Sequence, residues 1–97
     1  MLPTNRISTH PGIILLNEYL EPMGFTQTEL ADHLGIPVQR INEIVRGKRG
    51  VSSETAWLLS EAFETSPQFW LNLQSMYDLS STRPKRHVRP LRAVSAK

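Results

Sequence analysis

In the stretch "GIPVQRINEIVRGKRG", residues 35–50, an unusual share of side chains can make directional contacts. Gln39, Asn42, Glu43 and Arg46 recur at helical spacing, with Arg40 at the edge of the set and Val38 before it. A glutamine amide places donor and acceptor side by side and can pair in two places with an adenine edge, and a valine can pack on a thymine methyl. Lys48 and Arg49 follow at once, as groups that neutralise phosphates. The chemistry on offer is recognition of a duplex, not bond making. Catalytic constellations are weak elsewhere. His10, His33 and His87 lie far apart, without metal-ligand spacing, and there is no cysteine. Ser52 and Ser53 are better explained as a helix cap than as nucleophiles, and no Gly-rich phosphate loop follows a strand. The chain is expected to be no enzyme and to need neither metal nor cofactor.

For those groups to act together, a helix must carry them and other helices must hold it. Apolar periodicity and end signals predict five helices and no strand before the tail. The first runs from about Pro11 to Pro22 and is closed by Gly24, with Ile13, Leu16, Leu20 and Met23 near one inner stripe and Tyr19 beside it. The second runs from Gln27 to Leu34. Thr26 and Glu29 form a capping box, Leu30, Ala31 and Leu34 turn inward, and Gly35 ends it. The third spans about Pro37 to Arg46, with Ile41, Ile44 and Val45 inward and Gly47 after it. The fourth starts on Ser52 and reaches Phe63 or Glu64, with Ala56, Leu59, Ala62 and Phe63 inside. The fifth starts on Ser66 and Pro67 and carries Phe69, Trp70, Leu73, Met76 and Tyr77 to about Leu79. That apolar band is wider than one core contact requires. It places Trp70, Leu73 and Tyr77 at the interface of a homodimer.

The second and third helices, joined by a tight turn holding Gly35, have the spacing of a helix-turn-helix. In that arrangement the second helix enters the major groove and offers its N-terminal residues to base edges. Gln27, at the start of the preceding helix, is placed to meet a phosphate. Charge agrees. The net +2 splits into an acidic body and a basic tail. Residues 80–97 hold Arg83, Lys85, Arg86, Arg89, Arg92 and Lys97 and no acid. Within the body, basic charge collects at Arg40, Arg46, Lys48 and Arg49, as a polyanion partner requires. The tail, with two prolines and little to bury, is expected to be mobile when free; contact with DNA phosphates stands beside two alternatives, a merely solvated tail and an extended strand added to a protein partner through "HVRPL". No apolar run approaches the roughly 20 residues that span a bilayer, and the N-terminus lacks signal-peptide features, so a cytoplasmic protein without membrane association is expected.

"TQTELADHLGIPVQRINEIVRGKRG" resembles the lambda-repressor-like, XRE-type helix-turn-helix. More narrowly, residues 10–79 resemble the HigA antitoxin family, on "PG", "LEPMGFTQTELA", "GKRG" and "TSPQFWLNLQ". The resemblance implies an all-α, five-helix DNA-binding dimer that represses its own operon and neutralises a toxin resembling the HigB ribonuclease. It maps the DNA-reading positions onto Gln27, Pro37, Val38, Gln39, Arg40, Asn42 and Glu43. Pro37 departs from the family, because it stands where a Ser or Thr usually caps the third helix. Thr55, Trp57 and Leu58 also depart, and Leu58 is expected to be an exposed apolar residue. A toxin that binds RNA would be basic, so Glu18 and Glu21 on the first helix are the expected docking face. The organisation read here is an N-terminal arm (1–9), a helix-turn-helix domain (10–79) and a basic tail (80–97). The rival readings are a repressor without a toxin and a helical protein-interaction module.

Overall fold

A computed structural model describes residues 6–92; the rest of the expected arm and tail lies outside the described residues. Among the described residues there are five helices and no strand, and no helix is long and apolar enough to cross a membrane. Helix α1 covers residues 11–23 as three consecutive pieces: Pro11–Ile14, a π-helical run Leu15–Leu20, and Glu21–Met23. Then follow α2 (Gln27–Leu34), α3 (Val38–Val45), α4 (Ser53–Phe63) and α5 (Pro67–Ser81). The last helix continues two residues beyond Leu79, and Ser80 is buried, where its Oγ accepts the N–H of Ser8 at 2.8 Å.

Local chemistry sets the helix starts. Thr26 Oγ1 accepts the Glu29 N–H at 3.0 Å, and Glu29 Oε1 accepts the Thr26 N–H at 2.9 Å. Ser52 and Ser66 cap α4 and α5 with one bond each: their hydroxyls accept the N–H groups of Thr55 and Phe69. Helix α1 starts on an imidazole: His10 Nδ1 accepts the Gly12 N–H at 2.9 Å. Among the helices of the described residues only α3 has no side-chain cap, because Pro37 has no side-chain oxygen to offer.

The core gathers Leu15, Leu20, Leu30, Ala31, Ile41, Ile44, Val45, Val51, Ala56, Leu59 and Trp70. The inner stripe of α1 differs from the expected one. Ile13 and Met23 are 41% and 51% exposed, whereas Leu15 is fully buried. The reason is the π-helical run. Leu15 and Leu20 stand five apart, which is one face only when the turn is widened. The Glu21 N–H bonds to the Leu16 carbonyl, and Pro22 comes next. A proline in a regular helix would press on the carbonyl four residues back, so the wider turn makes room for its ring.

Trp70 is also relocated. It is fully buried inside the chain, among the rings of Tyr19 and Phe69 with centroids at 5.3 and 5.0 Å, and its Nε1 donates to Thr65 Oγ1 at 2.8 Å. It therefore offers no surface to a second copy. On α4, Leu58 is half-buried and its neighbour Trp57, 58% exposed, is the apolar residue in solvent.

Candidate nucleic-acid interface

Helix α3 packs on α2 and α1, and the loop after it is tied to α5. Its inner residues Ile41, Ile44 and Val45 are buried. Helix α1 crosses so closely that a Cβ built on Gly12 would fall 1.8 Å from the Ile44 carbonyl oxygen. Glycine is the residue that permits this approach. After α3 the chain turns through Gly47, whose φ of 73° lies in the left-handed region, and then lies against α5. There the Val51 N–H donates to Gln74 Oε1 at 2.8 Å. Gln74 thus pins the end of the loop that carries Lys48 and Arg49.

The outward edge is polar. Val38 is 43% exposed, and Pro37 and Gln39 are exposed beside it. Arg40 is half-buried and reaches Glu54 in the first turn of α4 at 3.7 Å. Asn42 donates through Nδ2 to Gln27 Oε1 at 3.2 Å, so two residues fifteen positions apart are joined across the turn between α2 and α3. Glu43 accepts from Arg49 Nε at 2.8 Å and from Gln39 Nε2 at 3.4 Å. The bond to Arg49 holds its carboxyl below the usual carboxylate range, helped by the Gln39 amide and by the charge of Lys48. Arg46 and Lys48 are exposed and make no ion pair among the described residues. The set expected from the sequence, from Gln27 through Arg49, is therefore assembled on one helix, the start of its neighbour and one loop. Glu18 and Glu21 are exposed on α1.

Three supporting residues were not singled out as functional in the sequence. His10 caps α1, stacks edge-on against Tyr77 at 4.7 Å, and its pKa is lowered by burial, against a smaller opposing effect of Asp78. Gly12 sets the depth of α3. Gln74 fixes the loop. The motifs "PG" and "TSPQFWLNLQ" contain Gly12 and Gln74, yet no periodicity marks either as a contact to the third helix.

A short helix, a tight turn and a second short helix with a polar outer edge define a DNA-binding helix-turn-helix protein. The chain belongs to the helix-turn-helix family HTH_3, whose model matches residues 16–70. It is similar to virulence-associated protein I of Dichelobacter nodosus, at 50% identity over 70 residues covering 72% of this chain and 65% of that protein. The chain thus spans less than two thirds of that relative's length. Antitoxin HigA-1 of Vibrio cholerae is 35% identical over 97 residues, covering 94% of this chain and 90% of that one. The crystal structure of a Pseudomonas aeruginosa protein in complex with its operator DNA matches with a TM-score of 0.81 at 37% identity, covering 87% of this chain and 97% of that one. The resemblance to HigA-type antitoxins read from the sequence holds. The family is one of DNA-binding regulators, not a class of enzymes.

Proposed function

We propose that this chain is a sequence-specific operator-binding repressor and the antitoxin of a HigBA-like module. The observation that carries the reading is the outer edge of α3. Val38, Gln39 and Arg40 stand at its start, the Gln27–Asn42 pair beside them, and Arg46, Lys48 and Arg49 at its end. Base-reading groups lie at the tip and phosphate-neutralising groups flank them, as major-groove docking requires. The uncapped start of α3 leaves its first amide groups open to a phosphate. That a similar chain is found on its operator supports the same use here. Repression would be steric and would need no cofactor.

A two-fold operator calls for a homodimer with its α3 helices about 34 Å apart. With Trp70 in the core, the seam falls to Leu73 and Tyr77, both half-buried, and to exposed Met76 and Leu79 on the same helix. The antitoxin name of a similar chain supports a toxin partner. Its docking on Glu18 and Glu21 follows from charge, since a ribonuclease that binds RNA is basic. The test co-expresses the chain with the product of a neighbouring small basic gene. Wild-type protein rescues growth, whereas Glu18→Lys with Glu21→Lys loses rescue and keeps operator binding. Full rescue by the double variant removes that docking face. Absence of any such neighbour leaves the reading of a repressor without a toxin.

A further inference from the structure

Glu43 carries the wrong sign for its place. It lies on the edge of α3 that is read here as facing DNA, among Gln39, Arg46, Lys48 and Arg49. A carboxylate there is repelled by every phosphate the helix approaches. Its contacts show what it does instead. One oxygen accepts from Arg49 Nε at 2.8 Å and the other from Gln39 Nε2 at 3.4 Å. Its backbone carbonyl accepts the N–H groups of Lys48 at 2.8 Å and Arg49 at 3.2 Å. One residue thus ties a side chain one turn upstream to the loop six residues downstream. Arginine has five N–H donors, so occupying Nε leaves the four on the terminal nitrogens for DNA. Arg46 and Lys48, by contrast, are held by no carboxylate among the described residues.

We propose that Glu43 is a positioning and discriminating residue of this interface: it reads no base, but holds Gln39 and Arg49 in register and cancels the charge of Arg49 wherever Gln39 finds no base. The inference rests on the reading of α3 as the DNA-reading helix. On a matched site, Arg49 is already aimed and Gln39 finds its base. On an unmatched site, Arg49 stays bound to the carboxylate, which cancels its charge toward the phosphates. Removing the charge should therefore strengthen binding to the wrong sequences.

The test uses the full chain and two probes: a duplex enriched by the wild-type protein from a random pool, and a scrambled duplex of the same composition. Glu43→Gln keeps the shape and an acceptor but not the charge. It should bind the scrambled duplex about threefold more tightly, the scale of one released surface ion pair. Binding to the enriched duplex should change little, so discrimination falls by a similar factor. On the scrambled duplex the plot of log K against log salt should steepen by about 0.9, one further phosphate. Adding Arg49→Ala should cancel both changes, because the effect acts through that guanidinium. Melting temperature should stay within about 2 °C of wild type, as for other surface pairs. Unchanged discrimination and salt slope in Glu43→Gln overturn the proposal. So does a loss of tenfold or more on the enriched duplex with scrambled binding unchanged, since Glu43 would then read a cytosine itself. If the wild type enriches no sequence and binds no duplex, the reading of α3 fails, and the role of Glu43 with it.

Discussion

Gly12→Ala is the substitution on which sequence intuition and the structure disagree most sharply. An alanine in a helix is favoured over glycine by up to about 1 kcal/mol. The structure opposes it. The new Cβ would lie 1.8 Å from the Ile44 carbonyl oxygen, 2.7 Å from its carbon and 2.9 Å from the Val45 Cα. All three are backbone atoms of α3, so no side chain can swing away. Even the closest ordinary carbon–oxygen contacts lie near about 3.3 Å, so the two helices must separate by roughly 1.5 Å. That movement opens the core that Ile41 and Ile44 share with Leu15, all three fully buried. Overpacking of this kind costs about 1–3 kcal/mol, and a core opened by the shift adds to it. Net of propensity, a loss of about 2–4 kcal/mol is expected. For a domain this size that is a fall in Tm of about 10–25 °C by circular dichroism melting. A Tm within about 3 °C of wild type, or a rise, would refute the argument that close backbone approach seats α3.

Three other outcomes follow from single features. Glu64 ends α4 with φ 57°, where α1, α2 and α3 are followed by Gly24, Gly35 and Gly47 in that region, so Glu64→Gly should stabilise by about 0.5–1 kcal/mol and raise Tm by roughly 3–6 °C; an unchanged or lower Tm contradicts this. The His10 pKa is lowered by burial, so its neutral form is the one the fold prefers. The stability it contributes is therefore present above the unfolded-state value near 6.5 and lost as pH falls below it. A drop in Tm between pH 7 and 5.5 should shrink in His10→Asn, which caps without titrating, and an identical drop in both proteins removes His10 as the cause. Cutting the chain after Thr82 spares buried Ser80 and removes the basic tail. If three or four tail residues meet phosphates, the salt slope on an enriched duplex should flatten by about 3, with sequence preference kept, and parallel lines would show an idle tail.

The reader of the sequence could place α2 to the residue, because Thr26 with Glu29 and Gly35 mark its two ends chemically. The outer edge of α3 was legible for the same reason: buried Ile41, Ile44 and Val45 leave only one face for Gln39 and Asn42. Other features escaped because they depend on partners distant in the chain. A 3.6-residue period cannot foresee the widened turn before Pro22, so Leu15 was missed in favour of Ile13. The wide apolar band of α5 does not say which residue goes inward. Trp70 is drawn to the core by the rings of Tyr19 and Phe69 and by the hydroxyl of Thr65. The exposed apolar residue of α4 was expected one position too late, at Leu58 instead of Trp57. The Gln27 oxygen accepts from Asn42, a pairing visible only once the turn has closed, and its N–H donors are left for the expected phosphate.

The function proposed for α3 requires that its tip select a DNA sequence. The measurement is enrichment of duplexes from a random pool by the full chain, followed by titration of wild type and Gln39→Ala on the enriched duplex and on its scramble. The expected result is an enriched site with two-fold symmetry and half-sites about one helical turn apart. Gln39→Ala should lose about 1–3 kcal/mol on that site while binding the scramble as before. A pool that yields no consensus, or a Gln39→Ala protein that binds both duplexes as wild type does, would contradict the proposed function.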